Sequence, residues 1–289
     1  WSNATGSYNT FVGYSAGKGA SSAPYGSGEY NTAVGYLAHT SFTTGKQNIA
    51  VGWEAAKSLT TGYYSTFLGV RAGRSVTTGN TNTFIGWQSG YAVTTTSNKT
   101  AIGYRAGYAD GGERDIHIGY EAGRNVTAGD NISIGRSAGQ GYHGVGQTEF
   151  QSNTTNRYNV SIGSYAGQRV IGTKNIHVGY KAGMNASGSS NTFMGYEAGL
   201  GGNTSAPYSS GQYNIAIGYQ ALTAFTTGGS NTLMGHQAGL QLTTASSNTA
   251  IGYNAMRLGT YATHIVAIGK EAFENIATDG NASRNVGIG

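Results

Sequence analysis

The 289-residue sequence has no cysteine, two prolines and only 10% charged residues. Without cysteine there is no disulfide, no thiol nucleophile and no cysteine-ligated zinc. Little charge, little proline and 11% aromatic residues are the opposite of a disordered composition. Leu, Lys and Glu are sparse, which disfavours long helices. No apolar run approaches the length of a membrane span, so no membrane insertion is expected, and no signal-peptide pattern opens the sequence. The net charge of +5 is spread along the chain without a basic block, which points to a solvated exterior and not to nucleic acid. What is abundant is glycine, 49 residues, and tyrosine, 21 residues. Glycine is not at every third position, so collagen is excluded. Asn, Thr, Gly, Ile, Val and Tyr together favour short strands joined by tight turns.

One phrase recurs: NTFVGYSAG from Asn9, NTAVGYLAH from Asn31, NTFIGWQSG from Asn82, NTFMGYEAG from Asn191 and NTAIGYNAM from Asn248. Aligned on the glycine after the aliphatic residue, the units fall at Gly13, Gly35, Gly52, Gly69, Gly86, Gly103, Gly119, Gly135, Gly163, Gly179, Gly195, Gly218, Gly235, Gly252, Gly269 and Gly289. That makes 16 units, most of them 16 or 17 residues apart. A short fixed period specifies a solenoid. The expected fold is all-β, a parallel β-solenoid of about 16 rungs in one repetitive domain over residues 1–289, with insertions at 18–30, 140–158, 200–213 and 274–284. Two insertions are siblings, GASSAPYGSGEYN (Gly19–Asn31) and GNTSAPYSSGQYN (Gly202–Asn214). A longer repeat therefore overlies the short one, and a segment of a longer array is expected.

Each column of the alignment has its own chemistry. The residue before the glycine is aliphatic or Met (Val12, Val34, Val51, Leu68, Ile85, Ile102), and the residue three before is β-branched (Thr10, Ile49, Thr83, Ile116, Val160). Two residues apart on a strand means one face, and this face is expected to be the core. The residue three after the glycine is Ala in every complete unit but that of Ser89, and the residue seven after is often apolar, as in Phe42, Leu59 and Val76. Four before the glycine stands asparagine: Asn9, Asn31, Asn48, Asn82, Asn131, Asn159, Asn175, Asn191, Asn214, Asn231, Asn248 and Asn285. Asparagine tolerates left-handed backbone, and stacked copies form a hydrogen-bonded ladder. Two after the glycine, adjacent units place Glu54 beside Arg71, Arg105 beside Glu121 and Lys181 beside Glu197. Parallel stacking at about 4.8 Å favours such opposite pairs.

The column two before the glycine is expected to point outward. It carries no formal charge, and Phe11, Phe67, Phe84 and Phe193 are its largest members. The next outward column, one after the glycine, is mostly Tyr or Trp. An uncharged outward face of this length is one that monomers avoid. The expectation is an interface between copies, with these phenylalanines in it and a threefold axis along the chains.

The repeats resemble the NTAIGYxAG arrays of bacteriophage tail fibres and the NSVAIG-like head repeats of trimeric autotransporter adhesins. The resemblance covers nearly the whole chain. It implies a left-handed β-roll, a trimer, an extracellular place on a virion or cell surface, and a role in attachment to a glycan or protein receptor. The expected function is a structural or adhesive fibre segment, with a self-assembling filament or matrix subunit as the alternative. Because TTG recurs, an ice-binding solenoid is a further alternative. The unit is longer than in the adhesin heads, and it adds the Tyr/Trp column.

The unpaired insertion contains Tyr142, His143 and Phe150, candidates for a surface contact, since loops on a rigid scaffold often bind. The carboxylates are dispersed and no nucleophile elbow occurs, so no enzyme activity and no cofactor are expected. His117 and His177 lie three rungs apart, too far for one chain to join them at a metal.

Overall fold

The computed structural model describes residues 4–20, 25–141, 156–204, 208–276 and 283–289. Their regular elements are sixteen three-residue strands, one per repeat, with no helix. None of the described residues therefore forms a helix long and apolar enough to cross a membrane.

The chain forms two compact units. In the first, built from the described residues up to Ser133, the strands are β1 (Thr10–Val12), β2 (Thr32–Val34), β3 (Ile49–Val51), β4 (Thr66–Leu68), β5 (Thr83–Ile85), β6 (Thr100–Ile102) and β7 (Ile116–Ile118). Each pairs in parallel with the next, and the register never slips. β8 (Ile132–Ile134) lies where the units divide. In the second unit the strands are β9 (Val160–Ile162), β10 (Ile176–Val178), β11 (Thr192–Met194), β12 (Ile215–Ile217), β13 (Thr232–Met234), β14 (Thr249–Ile251), β15 (Val266–Ile268) and β16 (Val286–Ile288). They pair in the same way. Consecutive parallel neighbours joined by a single turn of coil make each unit a parallel β-solenoid.

Glycine ends each strand, and where a further rung stacks on it nothing larger fits. Gly86 has φ +125°, and a Cβ there would lie 2.5 Å from the Gly103 carbonyl oxygen on the next rung. At the other end of the strand the left-handed residue is not the asparagine but the one before it: Tyr30, Tyr158 and Tyr213 all have φ 59°. A non-glycine residue there costs about 1–2 kcal/mol. The asparagine contributes hydrogen bonds instead of unusual backbone.

The faces of the strand are the reverse of the sequence expectation. The strand centres point inward: Phe67, Phe84, Phe193, Ala33 and Ala216 are all 0% exposed, and Phe11, on the first strand, is half-buried against the same core. The flanking columns point outward, with Ile49 46%, Leu68 44% and Met194 39% exposed. The assignment of Phe11, Phe67, Phe84 and Phe193 to an inter-chain interface is therefore corrected, and so is that of the Val/Ile and Thr/Ile columns to the core. The physical reason is volume. The interior already holds the Ala column and the apolar column of Phe42, Leu59 and Val76, leaving room for one strand side chain per rung.

That room is shared with the residue six positions on. Where the strand centre is large, that residue is glycine: a Cβ on Gly90 would sit 2.4 Å from the Phe84 ring, and one on Gly73 2.2 Å from that of Phe67. A large partner is found only where the centre is alanine, as in Ala33 with His39, Ala216 with Leu222 and Ala250 with Met256, all 0% exposed, while Ala50 and Ala101 are followed by the small Ala56 and Gly107.

Candidate functional site

Two features stand out from the repeat: the outward sheet face and one buried polar cluster. On the outward face the two flanking columns of every strand are Thr, Val, Ile, Leu or Met, without one charge. All of them are half-buried or exposed. An aromatic column borders this face. In the first unit Trp87 stacks on Tyr104 at 4.8 Å and Tyr104 on Tyr120 at 4.9 Å. In the second, Tyr180, Tyr196, Tyr219, His236 and Tyr253 form a continuous stack with steps of 4.9 to 5.2 Å. Beside it runs the charge-paired column. Arg71 Nε lies 3.1 Å from Glu54 Oε2, and the Arg105–Glu121 and Lys181–Glu197 pairs are both 3.9 Å apart. Partial burial works to raise the Glu54 carboxyl, but Lys57 and Arg74 outweigh it and hold it at about 2.

The asparagine column lines the other edge, inside the coil. Asn48 shows the pattern: its Oδ1 accepts the Ser65 N–H at 3.1 Å and its Nδ2 donates to the Gly62 carbonyl at 2.8 Å. Asn9, Asn31, Asn82, Asn131, Asn159, Asn175, Asn191, Asn214, Asn231 and Asn248 likewise donate Nδ2 to a backbone carbonyl. Asn285, on the last strand's rung, is exposed. The first threonine of the TTG turns is also structural. The hydroxyls of Thr43, Thr60 and Thr77 donate to carbonyls on the next rung at 3.2, 2.9 and 3.1 Å. The second threonine of each of these TTG turns, Thr44, Thr61 and Thr78, is exposed.

The cluster breaks the asparagine column. Lys99 and Asp115 occupy it on adjacent rungs, joined by Asp110 from the intervening turn and His117 from β7; all four are at most 2% exposed. Lys99 Nζ lies 2.6 Å from Asp110 Oδ2 and 3.8 Å from Asp115 Oδ2, and it donates to the Asp110 carbonyl oxygen at 2.7 Å. His117 Nε2 is 2.9 Å from the same Asp110 Oδ2. Asp110 Oδ1 accepts the Gly112 N–H at 2.9 Å, and Asp115 Oδ1 accepts that of Asn131 at 2.7 Å. Asp115 Oδ2 has no hydrogen-bond partner. Burial, reinforced by the Asp110 charge, pushes the Asp115 carboxyl up to about 7. Burial also works to raise Asp110, but Lys99 and His117 outweigh it and hold that carboxyl below its ordinary range.

Ligand atoms of Asp110, Asp115 and His117 lie within 4.8 Å of one another, the one such group among the described residues. They do not fit a resident metal ion, because the Lys99 ammonium already supplies the positive charge at 2.6 Å. His117 and His177, read from the sequence as outward, are buried in the coil and face no second copy. Tyr142, His143 and Phe150 lie outside the described residues. The sequence reading missed the cluster, although Lys99 and Asp115 interrupt a column that is otherwise almost all asparagine.

No family model, curated protein or solved structure matches the chain.

Proposed function

We propose that the chain is a structural, non-enzymatic segment of an extracellular fibre, and that its outward sheet face packs against the same face of two further copies. The observation that carries this is the absence of charge from both outward columns, although Ile49, Leu68, Ile176, Met194, Ile215 and Met234 are each more than a third exposed in the single chain. Contiguous apolar surface of this kind marks an interaction site. Parallel copies also suit a repeating ladder, since identical rungs then meet. The extracellular place and the role in attachment rest on the likeness of the repeats to tail-fibre and adhesin arrays. A glycan or protein receptor would be the partner at the tips or loops.

The test is analytical ultracentrifugation of the chain beside Met194→Glu/Met234→Glu, with circular dichroism as a check on the coil. The expected result is a trimer that the double substitution dissociates while the β spectrum persists. A monomeric parent chain, or an unaffected trimer in the variant, contradicts the proposal.

A further inference from the structure

Buried ion pairs add little stability over an uncharged alternative, and in most rungs of this column the alternative is asparagine. The Lys99 cluster has more than a pair needs. Its amine and carboxyl touch, a second carboxyl beside the amine has a free oxygen, and a ring nitrogen and a backbone N–H cover the two oxygens of the first carboxyl.

We propose that Lys99 and Asp110 condense into a side-chain amide, an internal cross-link between the β6 rung and the turn that follows it. The inference is independent of the fibre reading. In the step, Nζ attacks Cγ of Asp110, a C–N bond forms and the Cγ–Oδ2 bond breaks. Oδ2 leaves as water with two of the three ammonium protons; the third stays on the amide nitrogen. No oxidant, nucleotide or metal is needed.

Each neighbour has a place in that step. Asp115 Oδ2, 3.8 Å from Nζ and without a hydrogen bond, takes a proton from the attacking amine. A carboxyl poised near neutrality both accepts and returns a proton. His117 Nε2, 2.9 Å from Oδ2, relays a proton to the departing oxygen. The Gly112 N–H, 2.9 Å from Oδ1, meets the negative charge that develops there. Contact between nucleophile and carboxyl replaces a bimolecular encounter with an intramolecular one. Burial of all four groups keeps out the water that would reverse the reaction.

Intact mass of the purified full chain under denaturing conditions tests this. The expected mass is one water below that of the sequence, and digestion yields a branched peptide joining Lys99 to Asp110. Lys99→Arg keeps the cation and removes the nucleophile, so its mass is expected to be the full one. Asp115→Asn places the column's own residue at 115, so folding is retained while the cross-link is lost or forms many-fold more slowly. A parent chain at full sequence mass overturns the proposal. So does a one-water loss that mild base reverses with Lys99 free, because Asp110–Gly111 then holds a cyclic imide instead.

Discussion

Phe84 and Gly90 offer a sharp test of how the coil is filled. Phe84 is fully buried, its ring 5.6 Å from that of Phe67, and the missing Cβ of Gly90 leaves the space its ring occupies. Phe84→Ala opens a cavity and is expected to cost about 3–5 kcal/mol. Gly90→Leu alone forces a side chain into the ring, costing about 1–3 kcal/mol for overpacking, and adds about 1–2 kcal/mol for a left-handed non-glycine residue. The double variant reproduces the Ala216/Leu222 rung, where Leu222 has φ 54° and is fully buried. Only the backbone cost and a small packing deficit then remain, about 2 kcal/mol. Denaturant titrations of the four proteins, followed by circular dichroism, close the cycle. A coupling of at least about 3 kcal/mol is expected, at or above the upper end of what contacting residues show. Additivity within about 0.5 kcal/mol would mean that the two side chains do not share one space, and the inward assignment of the strand centre would fail.

Asn48→Ala leaves the Ser65 N–H and the Gly62 carbonyl without their partners; a loss of about 2–4 kcal/mol is expected from two unpaired buried groups, read by the same titration. His177 is stacked on Phe193 with neither ring nitrogen hydrogen-bonded, and burial lowers its pKa to about 3. The unfolded chain therefore takes up a proton first, so this histidine's contribution is full above about pH 6.5 and falls as acid approaches pH 3, by up to about 5 kcal/mol. His39 behaves alike, its pKa lowered to about 4 by burial. In the same unit Asp115 has the opposite sign: raised to about 7, it stabilises below pH 4 and loses that contribution as pH rises to 7. Hydrogen exchange at pH 7 and pH 4.5 is expected to show the second unit loosening more than the first, and His177→Leu removing the difference.

The period, the glycine corners and the asparagine ladder were legible because each repeats a backbone requirement at a fixed spacing. The charge pairs of Glu54 with Arg71 and Lys181 with Glu197 were legible because stacking makes residues one period apart neighbours. The faces were misread because a three-residue strand alternates equally well in either phase. Columns of Ile, Val and Thr look like core when judged by hydrophobicity alone. The decisive signal was present but compensatory: glycine follows Phe67, Phe84, His177 and Phe193 by six residues, while His39, Leu222, Met256 and Phe273 follow alanine. Only side chains that share one interior vary in size that way. The Lys99 cluster was hidden for a different reason. Asp110 comes from a turn between rungs, where spacing fixes no neighbour, so only the column positions of Lys99 and Asp115 pointed to it.

Peroxide oxidation of the four methionines tests the central claim, that the outward sheet face is an interface between copies. Met194 and Met234 lie on that face, each 39% exposed in the single chain, and Met256 is 0% exposed in the core. Met184 is half-buried and stands away from the face, five residues after Gly179. Peptide mass analysis after graded oxidation is expected to show Met184 oxidised first, with Met194 and Met234 as resistant as Met256. Oxidation of Met194 and Met234 at the rate of Met184 or faster, in the native chain at concentrations where it is folded, would mean that the face is bare and the assembly does not form.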